Sequence, residues 1–254
     1  MIDLHSHLLP AVDDGSRTVE QSVGVLRQMA ERGITDLCLT PHLRANETVD
    51  APPARHDEAF AALRARAPDL PRLHRGAEVM LDRPLPLEPD RMRGITLGGT
   101  HYILVEFPRL VAVDAVTNAL TRVRDAGFTP VLAHPERYGC CTVEAVAYWR
   151  ELGARMQVDA TTLHSPHTRG QRARQLIAAG LGDILAGDNH GDDRTIAAGA
   201  DFLRAQDGEA QAELLTTVNP GAILRDEPLA EVPPLAIRRT WMQRLRHLLG
   251  GEQL

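Results

Sequence analysis

The sequence predicts an α/β fold in which parallel strands alternate with helices and close into a barrel. Two observations support this fold class. Short apolar segments of strand length recur along the chain, and segments whose apolar residues have helical spacing lie between them. Repeated strand–helix units are typical of a parallel sheet, and about seven of them in one chain favour a barrel over an open sheet.

Strand and helix candidates alternate along most of the chain. The predicted strands cover residues 2–6, 34–39, 73–79, 102–106, 129–133, 155–159 and 183–187, with a further candidate at 214–218. The predicted helices cover residues 18–32, 54–66, 113–126, 143–152, 168–180 and 194–205. In the first helix Val19, Val23, Leu26 and Ala30 recur at helical spacing, and Gly33 follows at the position of a C-terminal cap.

The end of the chain differs from the repeating part. Residues 1–225 are predicted to form a single α/β domain, and residues 226–254 a C-terminal extension. Within the extension, an amphipathic helix is predicted over residues 232–249, with one apolar face formed by Ile237, Trp241, Leu245 and Leu248. This face either packs on the barrel or contacts a membrane surface or a partner.

Composition excludes several classes of protein. The net charge is −6 and all 28 positively charged residues are arginines, but no basic block indicates nucleic-acid binding. Three cysteines do not make a disulfide framework and fit a reducing compartment. Because no secretory leader and no apolar run of about 18 residues is visible, we expect a cytoplasmic protein without stable membrane insertion.

Histidines and acidic residues follow the predicted strands at their carboxyl ends, where active sites of βα barrels lie. His5 and His7 are two residues apart in an extended segment, so their rings project from the same side. Burying several carboxylates together without a cation would cost several kcal/mol each. The sequence therefore predicts a metal cluster. Its nine candidate ligands are His5, His7, Asp14, His42, Glu78, Glu106, His134, Asp188 and His190.

Nine ligands can serve three divalent ions if one carboxylate bridges. Three such ions carry a charge of +6 and the four carboxylates carry −4, which leaves the cluster with +2. A cationic pocket of this kind attracts a phosphate-like anion and lowers the pKa of bound water. Mixed histidine and carboxylate ligands suit manganese, iron or zinc, and the residues alone do not choose among them.

Two arginines supplement the candidate ligands. Arg137 lies three residues after His134, and Arg194 lies six residues after Asp188. Both are predicted on loops at the same face, where a planar guanidinium can bind two phosphate oxygens. The alternative for Arg194 is a surface salt bridge with Asp192 or Asp193.

Seven short motifs occur in order along the chain: His5-Ser-His7, Asp13-Asp14-Gly15, Thr40-Pro41-His42, Gly76-Ala77-Glu78, Glu106-Phe107, Ala133-His134-Pro135-Glu136-Arg137-Tyr138 and Asp188-Asn189-His190. With these motifs the chain resembles the polymerase-and-histidinol-phosphatase (PHP) superfamily. Within it, the chain looks like the manganese-dependent protein tyrosine phosphatases encoded with bacterial capsule and exopolysaccharide genes, the CpsB type. The resemblance covers residue 1 to about residue 224.

This resemblance implies a distorted seven-stranded βα barrel with three metal ions, most often manganese. The first ion would be held by His5, His7, Glu78 and Asp188. Glu78 would bridge to a second ion, which Glu106 and His134 also hold, and Asp14, His42 and His190 would hold the third. It also implies that Arg137 and the arginine after Asp188-Asn189-His190 bind phosphate. In this chain the spacing to Arg194 is one residue shorter than expected.

The function implied is a metal-dependent phosphotyrosine-protein phosphatase. It would act on the phosphotyrosine tail of a bacterial tyrosine kinase that controls polysaccharide synthesis or export, through in-line attack by a metal-bound hydroxide. One alternative keeps the site but changes the substrate to a small phosphomonoester such as histidinol phosphate, or to a nucleic-acid phosphodiester. Another is a non-catalytic module that docks on a kinase or sequesters metal. A homo-oligomer is compatible with all of these.

A second phosphatase signature competes with the metal cluster. Cys38 and Arg44 have the Cys-x5-Arg spacing of thiol-dependent phosphatases. Such a site needs a loop of free backbone N–H groups and an exposed thiol of low pKa. This segment contains no glycine, and Pro41 removes one donor. We therefore expect Cys38 to be an inert thiol in a buried strand.

Overall fold

A computed structural model describes residues 1–85, 92 and 94–238 of the chain. Within these residues all strand pairings are parallel, and they form two sheets. The first sheet has the order β1-β2-β4, with β1 at Ile2–Asp3, β2 at Asp36–Leu39 and β4 at Arg72–Arg75. The second has the order β3-β5-β6-β7-β8-β9, with strands at His42–Arg44, Glu78–Met80, Tyr102–Glu106, Thr129–Ala133, Arg155–Asp159 and Ile184–Ala186.

The two sheets share interrupted strands. Thr40 and Pro41 separate β2 from β3, and Gly76 and Ala77 separate β4 from β5. Pro41 has no N–H to donate to a ladder, although its carbonyl accepts a hydrogen bond of 3.1 Å from the Glu78 backbone. Beyond the ends of the two edge strands β1 and β9, a parallel bridge joins Ser6 to Asn189. The described strands thus form two parallel sheets in one α/β domain, and a closed seven-stranded barrel stays a prediction.

Helices connect the strands as predicted from the sequence. They are α1 at Val19–Glu31, α2 at Ala54–Arg64, α3 at Val113–Asp125, α4 at Val143–Glu151, α5 at Thr168–Ala178, α6 at Ile196–Arg204, α7 at Glu209–Glu213 and α8 at Asn219–Leu224. The six predicted helices are confirmed as the first six of these, with ends displaced by at most a few residues. The Thr18 hydroxyl accepts from Gln21 N at the start of α1, and Gly33 follows its end at φ 80°.

The predicted strand at 214–218 is wrong. Leu214–Val218 is a π-helical turn between α7 and α8. Its apolar and β-branched residues imitate a strand in sequence. In the fold Leu215 and Thr216 are buried, and the Thr216 hydroxyl donates to the Ala212 carbonyl at 2.7 Å, one helical turn earlier. Tertiary packing therefore overrides the local strand preference.

The predicted C-terminal helix falls only in part on the described residues. Residues 227–238 form no helix, and Val232 and Leu235 are buried against the domain. The Arg238 backbone donates to the Gln206 side chain at 2.7 Å. The helix positions from Trp241 onward lie outside the described residues. Among the helices that the structure describes, none is long and apolar enough to cross a membrane.

Asp36 in β2 gives a testable pH dependence of folding. Arg72 and His74 donate to its carboxylate at 2.7–2.9 Å. Burial by itself raises the pKa of Asp36, but the hydrogen bonds from Arg72, His74 and Thr35 lower it from 3.8 to about 2. The folded-state pKa is thus below the unfolded one, so this stabilisation is present above pH 4 and is lost as the pH falls towards 2. Chemical denaturation at several pH values should show that the free energy of unfolding of Asp36→Asn falls less steeply between pH 4 and pH 2 than that of the wild type. An equally steep fall in both proteins would contradict this role.

Candidate metal centre

The nine predicted ligands converge at or beyond the carboxyl ends of β1, β2, β4, β6, β7 and β9, where His42 and Glu78 also begin the short strands β3 and β5. The deepest group surrounds the Nε2 atoms of His5 and His7, which lie 3.1 Å apart. Each Nε2 is 3.3 Å from Glu78 Oε2, and the distances to Asp188 Oδ1 are 3.4 and 3.3 Å. Donor atoms bound to one ion at about 2.1 Å in tetrahedral geometry would be about 3.4 Å apart. This spacing therefore fits a shared cation.

Glu78 lies at the centre of the whole arrangement. Its Oε1 is 2.8 Å from His134 Nε2, and its Oε2 is 3.0 Å from His42 Nδ1. The same His42 nitrogen is 3.1 Å from Glu106 Oε1. Glu78 is fully buried, with its carboxylate among four imidazoles. One carboxylate can thus contribute oxygens to more than one ion.

A third group lies at the solvent side. Asp14 Oδ1 is 3.3 Å from His42 Nε2 and 3.6 Å from His190 Nε2. The His7 and His190 ring centroids are 4.1 Å apart, so His7 adjoins this group as well as the deep one. The Asp14 side chain is 69% exposed, whereas those of His5 and His7 are fully buried. The cluster therefore opens to solvent at Asp14.

Hydrogen bonds made by the Nδ1 atoms of three histidines orient the rings so that the Nε2 atoms face the cluster. His5 Nδ1 lies 2.8 Å from Gln157 Oε1, and His7 Nδ1 lies 2.8 Å from Asp13 Oδ2. His190 Nδ1 lies 2.9 Å from the Asp188 carbonyl. Each Nδ1 faces an acceptor and donates to it, so each Nε2 presents a lone pair to the cluster.

Two observations show that this donor set fits metal ions. The lone pairs of His5 and His7 face each other at 3.1 Å, which is repulsive unless a cation or proton lies between them. Glu78 Oε2 and His42 Nδ1 are buried and have no hydrogen-bond partner within the described residues. Such orphaned atoms are costly in a protein interior. Divalent ions would satisfy both.

The charges in the cluster are strongly coupled. Burial alone would raise the pKa of Glu78, but the imidazoles of His5, His134 and His42 hold it well below its usual value. Burial opposes protonation of His42, yet the Glu106 and Glu78 carboxylates raise its pKa from 6.5 to about 10. Without ions, protons on the imidazoles balance the carboxylates. Metal binding must displace these protons, so affinity should rise with pH.

The two predicted arginines both approach Asp188. Arg137 forms an ion pair with Asp188 Oδ2 and lies 3.2 Å from Asp159 Oδ2. Arg194 Nη1 is 3.7 Å from the same Asp188 oxygen, while its Nε lies 2.9 Å from Asp192 Oδ2. The salt bridge to Asp192 that the sequence left open is therefore present. Both guanidinium groups nevertheless lie beside the cluster.

Backbone strain occurs at two of the candidate ligands. His134 has φ 36° and Asp188 has φ 47°, both in the left-handed region. Non-glycine residues rarely adopt this conformation, and such outliers concentrate at functional sites. His134 directly follows β7, and Asp188 follows β9 after one intervening residue, Gly187. Strain of this kind is typical of side chains that are positioned for binding or catalysis.

Sequence reasoning missed the supporting residues. Gln157 and Asp159 lie on one face of β8, behind His5 and Arg137. Asp13 and Glu136 flank predicted residues, and Glu136 Oε1 accepts from the Asp159 backbone at 3.0 Å. The alternation of polar Arg155, Gln157 and Asp159 with apolar Met156 and Val158 was an available signal for the β8 pair. No comparable signal separates Asp13 from its neighbour Asp14.

The competing thiol site does not form. Cys38 is fully buried in β2, and burial raises the pKa of its thiol to about 12. Its strand neighbours Leu37 and Leu39 are buried as well. A thiolate nucleophile needs the opposite environment, partly exposed and electropositive. The expectation of an inert core thiol is confirmed.

Sequence comparisons place the chain among proteins of capsule synthesis. The family model described as "Capsular polysaccharide synthesis, CpsB/CapC" matches residues 1–225. The tyrosine-protein phosphatase CpsB of Streptococcus pneumoniae is 27% identical over 244 residues, covering 89% of this chain and 99% of the relative. The tyrosine-protein phosphatase YwqE of Bacillus subtilis is 28% identical over 249 residues, covering 94% and 97%.

Structural comparison agrees with the sequence. A chain from the crystal structures of YwqE and CpsB, described as unique metal-dependent tyrosine phosphatases, superposes with a TM-score of 0.77 at 25% identity. The match covers 94% of this chain and 100% of that one. Dihydropyrimidinase from Brevibacillus agri, at 14% identity and a TM-score of 0.53 over 92% of this chain and 73% of its own, shares the fold alone. Because the family model spans most of its length, the chain belongs to the CpsB/CapC family of capsular polysaccharide synthesis proteins.

Proposed function

We propose that this chain is a metal-dependent phosphotyrosine-protein phosphatase that acts in the cytoplasm. Its substrate would be the phosphotyrosine tail of a bacterial tyrosine kinase of polysaccharide synthesis or export. The observation that carries the proposal is the convergence of buried imidazoles and carboxylates on Glu78, with two arginines alongside. The names of the relatives, tyrosine-protein phosphatases, support the substrate class.

The fold we propose is a distorted seven-stranded barrel of the PHP type. Seven strand positions result when β2 with β3, and β4 with β5, are each counted as one interrupted strand. The bridge between Ser6 and Asn189 supports closure between the first and last positions. Residues 1–225 would form this phosphatase domain and residues 226–254 an extension.

Three divalent ions, which we propose to be manganese, would be held by the nine converging ligands. His5, His7, Glu78 and Asp188 would hold one ion; Glu78, Glu106 and His134 a second; and Asp14, His42 and His190 a third. When bound, the ions would lower the pKa of a water molecule and neutralise negative charge that develops on the phosphate. The same ligand types accept iron or zinc.

The protein's own residues would bind and orient the phosphate. Arg137 and Arg194 would hold its non-bridging oxygens, at the expense of their present contacts with Asp188, Asp159 and Asp192. The solvent-open side at Asp14 would admit a tyrosine side chain on a peptide. A phenolate leaving group, whose conjugate acid has a pKa of about 10, needs less protonation than an alkoxide.

Arg137→Ala should raise KM for a phosphotyrosine peptide by about 10-fold or more, with a smaller fall in kcat, because a charge-assisted bidentate contact is lost. Arg194→Ala should have the weaker effect, since the Arg194 guanidinium lies 3.7 Å from Asp188, farther from the cluster than that of Arg137, which forms a close ion pair with the same carboxylate. Steady-state kinetics of both variants measures the two parameters. An equal, small change for Arg137→Ala in both parameters would argue against phosphate binding.

Cys38→Ser should retain kcat within about 2-fold, because the buried thiol contributes nothing to the chemistry. The same preparation should lose its activity to a chelator. A Cys38→Ser protein that folds but has lost activity by several orders of magnitude would revive the thiol-dependent alternative.

One experiment separates the candidate functions. Phosphotyrosine peptide, histidinol phosphate and an oligonucleotide are assayed side by side, with and without manganese. We expect manganese-dependent release of phosphate from the peptide at the highest kcat/KM. Preference for histidinol phosphate would favour a small-molecule phosphatase, and no turnover of any substrate with metal bound would favour a docking module.

A further inference from the structure

Asp13 is placed between the deep and the solvent-side groups of ligands. Its Oδ2 accepts from His7 Nδ1 at 2.8 Å and from the His42 backbone N–H at 3.1 Å. Its Oδ1 accepts from the Gly15 backbone N–H at 3.0 Å. The side chain is only 4% exposed. A single carboxylate therefore contacts three points of the site at once.

The turn that carries Asp13 is closed onto His7 itself. Ser16 N donates to the His7 carbonyl at 2.8 Å. A Cβ atom at Gly15 would lie 2.0 Å from that same carbonyl oxygen, so only glycine fits there. Because Asp14 lies between Asp13 and Gly15, the position of its carboxylate depends on this turn.

These contacts concern one group of ligands more than the others. His7, Asp14, His42 and His190 offer donor atoms within 4.8 Å of one another. Asp13 holds the His7 ring, holds the His42 backbone and precedes Asp14 in the chain. Within the described residues, none of its hydrogen bonds reaches Glu78, Glu106 or His134.

We propose that Asp13 is a positioning residue that couples the solvent-side ion to His7, so that its replacement selectively weakens the ion held by Asp14, His42 and His190. The inference rests on the proposed function and its ligand assignment. It goes further by predicting that one of three ions is lost while two remain. Asp13 touches no substrate in this scheme and acts through His7, His42 and Asp14.

Asn at position 13 cannot replace the carboxylate, although the two side chains have nearly the same shape. The carboxylate accepts three hydrogen bonds with two oxygens, whereas an amide offers one acceptor oxygen. If the amide oxygen faces His7 and His42, the NH2 group meets the Gly15 N–H, donor against donor. If the NH2 group faces His7 instead, it meets two donors, His7 Nδ1–H and the His42 N–H, so this orientation is the costlier one. The favoured orientation therefore keeps the His7 contact and disturbs the turn at Gly15, which carries Asp14.

The test is a direct count of bound manganese. Chelator-treated wild-type protein, Asp13→Asn and two comparison variants are titrated with Mn²⁺ alone in equilibrium dialysis, and bound metal is measured by elemental analysis. Asp14→Asn removes a proposed ligand of the same ion and should imitate Asp13→Asn. Asp36→Asn removes a carboxylate that also accepts several hydrogen bonds but lies in β2, and it should leave metal binding unchanged.

We expect three ions on the wild type and two on Asp13→Asn, with the third bound at least about 10-fold more weakly. Phosphatase activity of Asp13→Asn should recover as Mn²⁺ is raised, which a purely structural role would not produce. Should Asp13→Asn fail to fold, Asp13→Glu keeps both oxygens, displaces them by one methylene and should also weaken only the third ion.

Two results would overturn the coupling: three ions bound to Asp13→Asn with wild-type affinity, or loss of all three together. Failure of the proposed function is distinguishable from either. Wild-type protein that binds three ions but does not hydrolyse phosphotyrosine peptide would reject the activity and leave the coupling intact. Wild-type protein that binds fewer than three ions would reject the ligand assignment and the coupling with it.

Discussion

Glu78→Gln is expected to lower kcat for phosphotyrosine peptide by about 1,000-fold or more. The Glu78 carboxylate lies within 2.8–3.3 Å of nitrogens of His5, His7, His42 and His134. The amide keeps the size of the side chain but removes its negative charge and one acceptor oxygen. Two ion positions would therefore lose their common ligand. Steady-state kinetics together with bound-metal analysis measures the effect.

Glu136→Gln is the matched control for this substitution. Glu136 is also fully buried, and burial together with the nearby Asp159 raises its pKa to about 8. At neutral pH it is largely protonated, so glutamine resembles the form already present. We expect its kcat to stay within about 3-fold of the wild type. Equal losses in Glu78→Gln and Glu136→Gln would mean that general damage to the core, and not metal binding, explains the first.

Removal of the metal ions should lower the melting temperature by at least about 5 °C. An ion present at 100 times its dissociation constant stabilises the fold by about 2.7 kcal/mol, and 1 kcal/mol corresponds to about 2–4 °C in a protein of this size. Calorimetry with manganese and with chelator measures the difference. No shift would mean that the described cluster does not hold ions tightly.

The size of this shift should depend on pH in a defined direction. In the ion-free protein, Glu106 and Glu78 raise the folded-state pKa of His42 to about 10 against the effect of burial. A histidine whose pKa is raised on folding stabilises the fold below about pH 6.5, and this stabilisation disappears as the pH rises towards 10. The chelated protein should therefore lose stability from neutral to alkaline pH. The manganese-loaded protein should lose less stability over the same pH range, because the ions replace the protons on His42 and its neighbours.

The positions of the ligands follow from the sequence because the strand pattern is strong. All candidates except Asp14, which lies in the loop between β1 and α1, are near the carboxyl end of a predicted strand, and parallel strands bring those ends together. His134 after β7 and Asp188 after β9 are examples. The structure places the predicted residues near one another, while their roles in binding metal or phosphate stay predictions.

Other features depend on contacts between distant residues. The π-helical turn at Leu214–Val218 forms where strand propensity is high, because Leu215 and Thr216 are buried against the domain. The hydrogen bond from His5 to Gln157 joins residues 152 positions apart. No local pattern identifies such a partner.

The most direct test is a crystal structure of the manganese-loaded protein with data collected at the manganese absorption edge. We predict three anomalous peaks, each within about 2.0–2.6 Å of the imidazole and carboxylate atoms that converge here, with Glu78 contacting two of them. Absence of peaks among these side chains in a protein that is active with manganese would contradict the account.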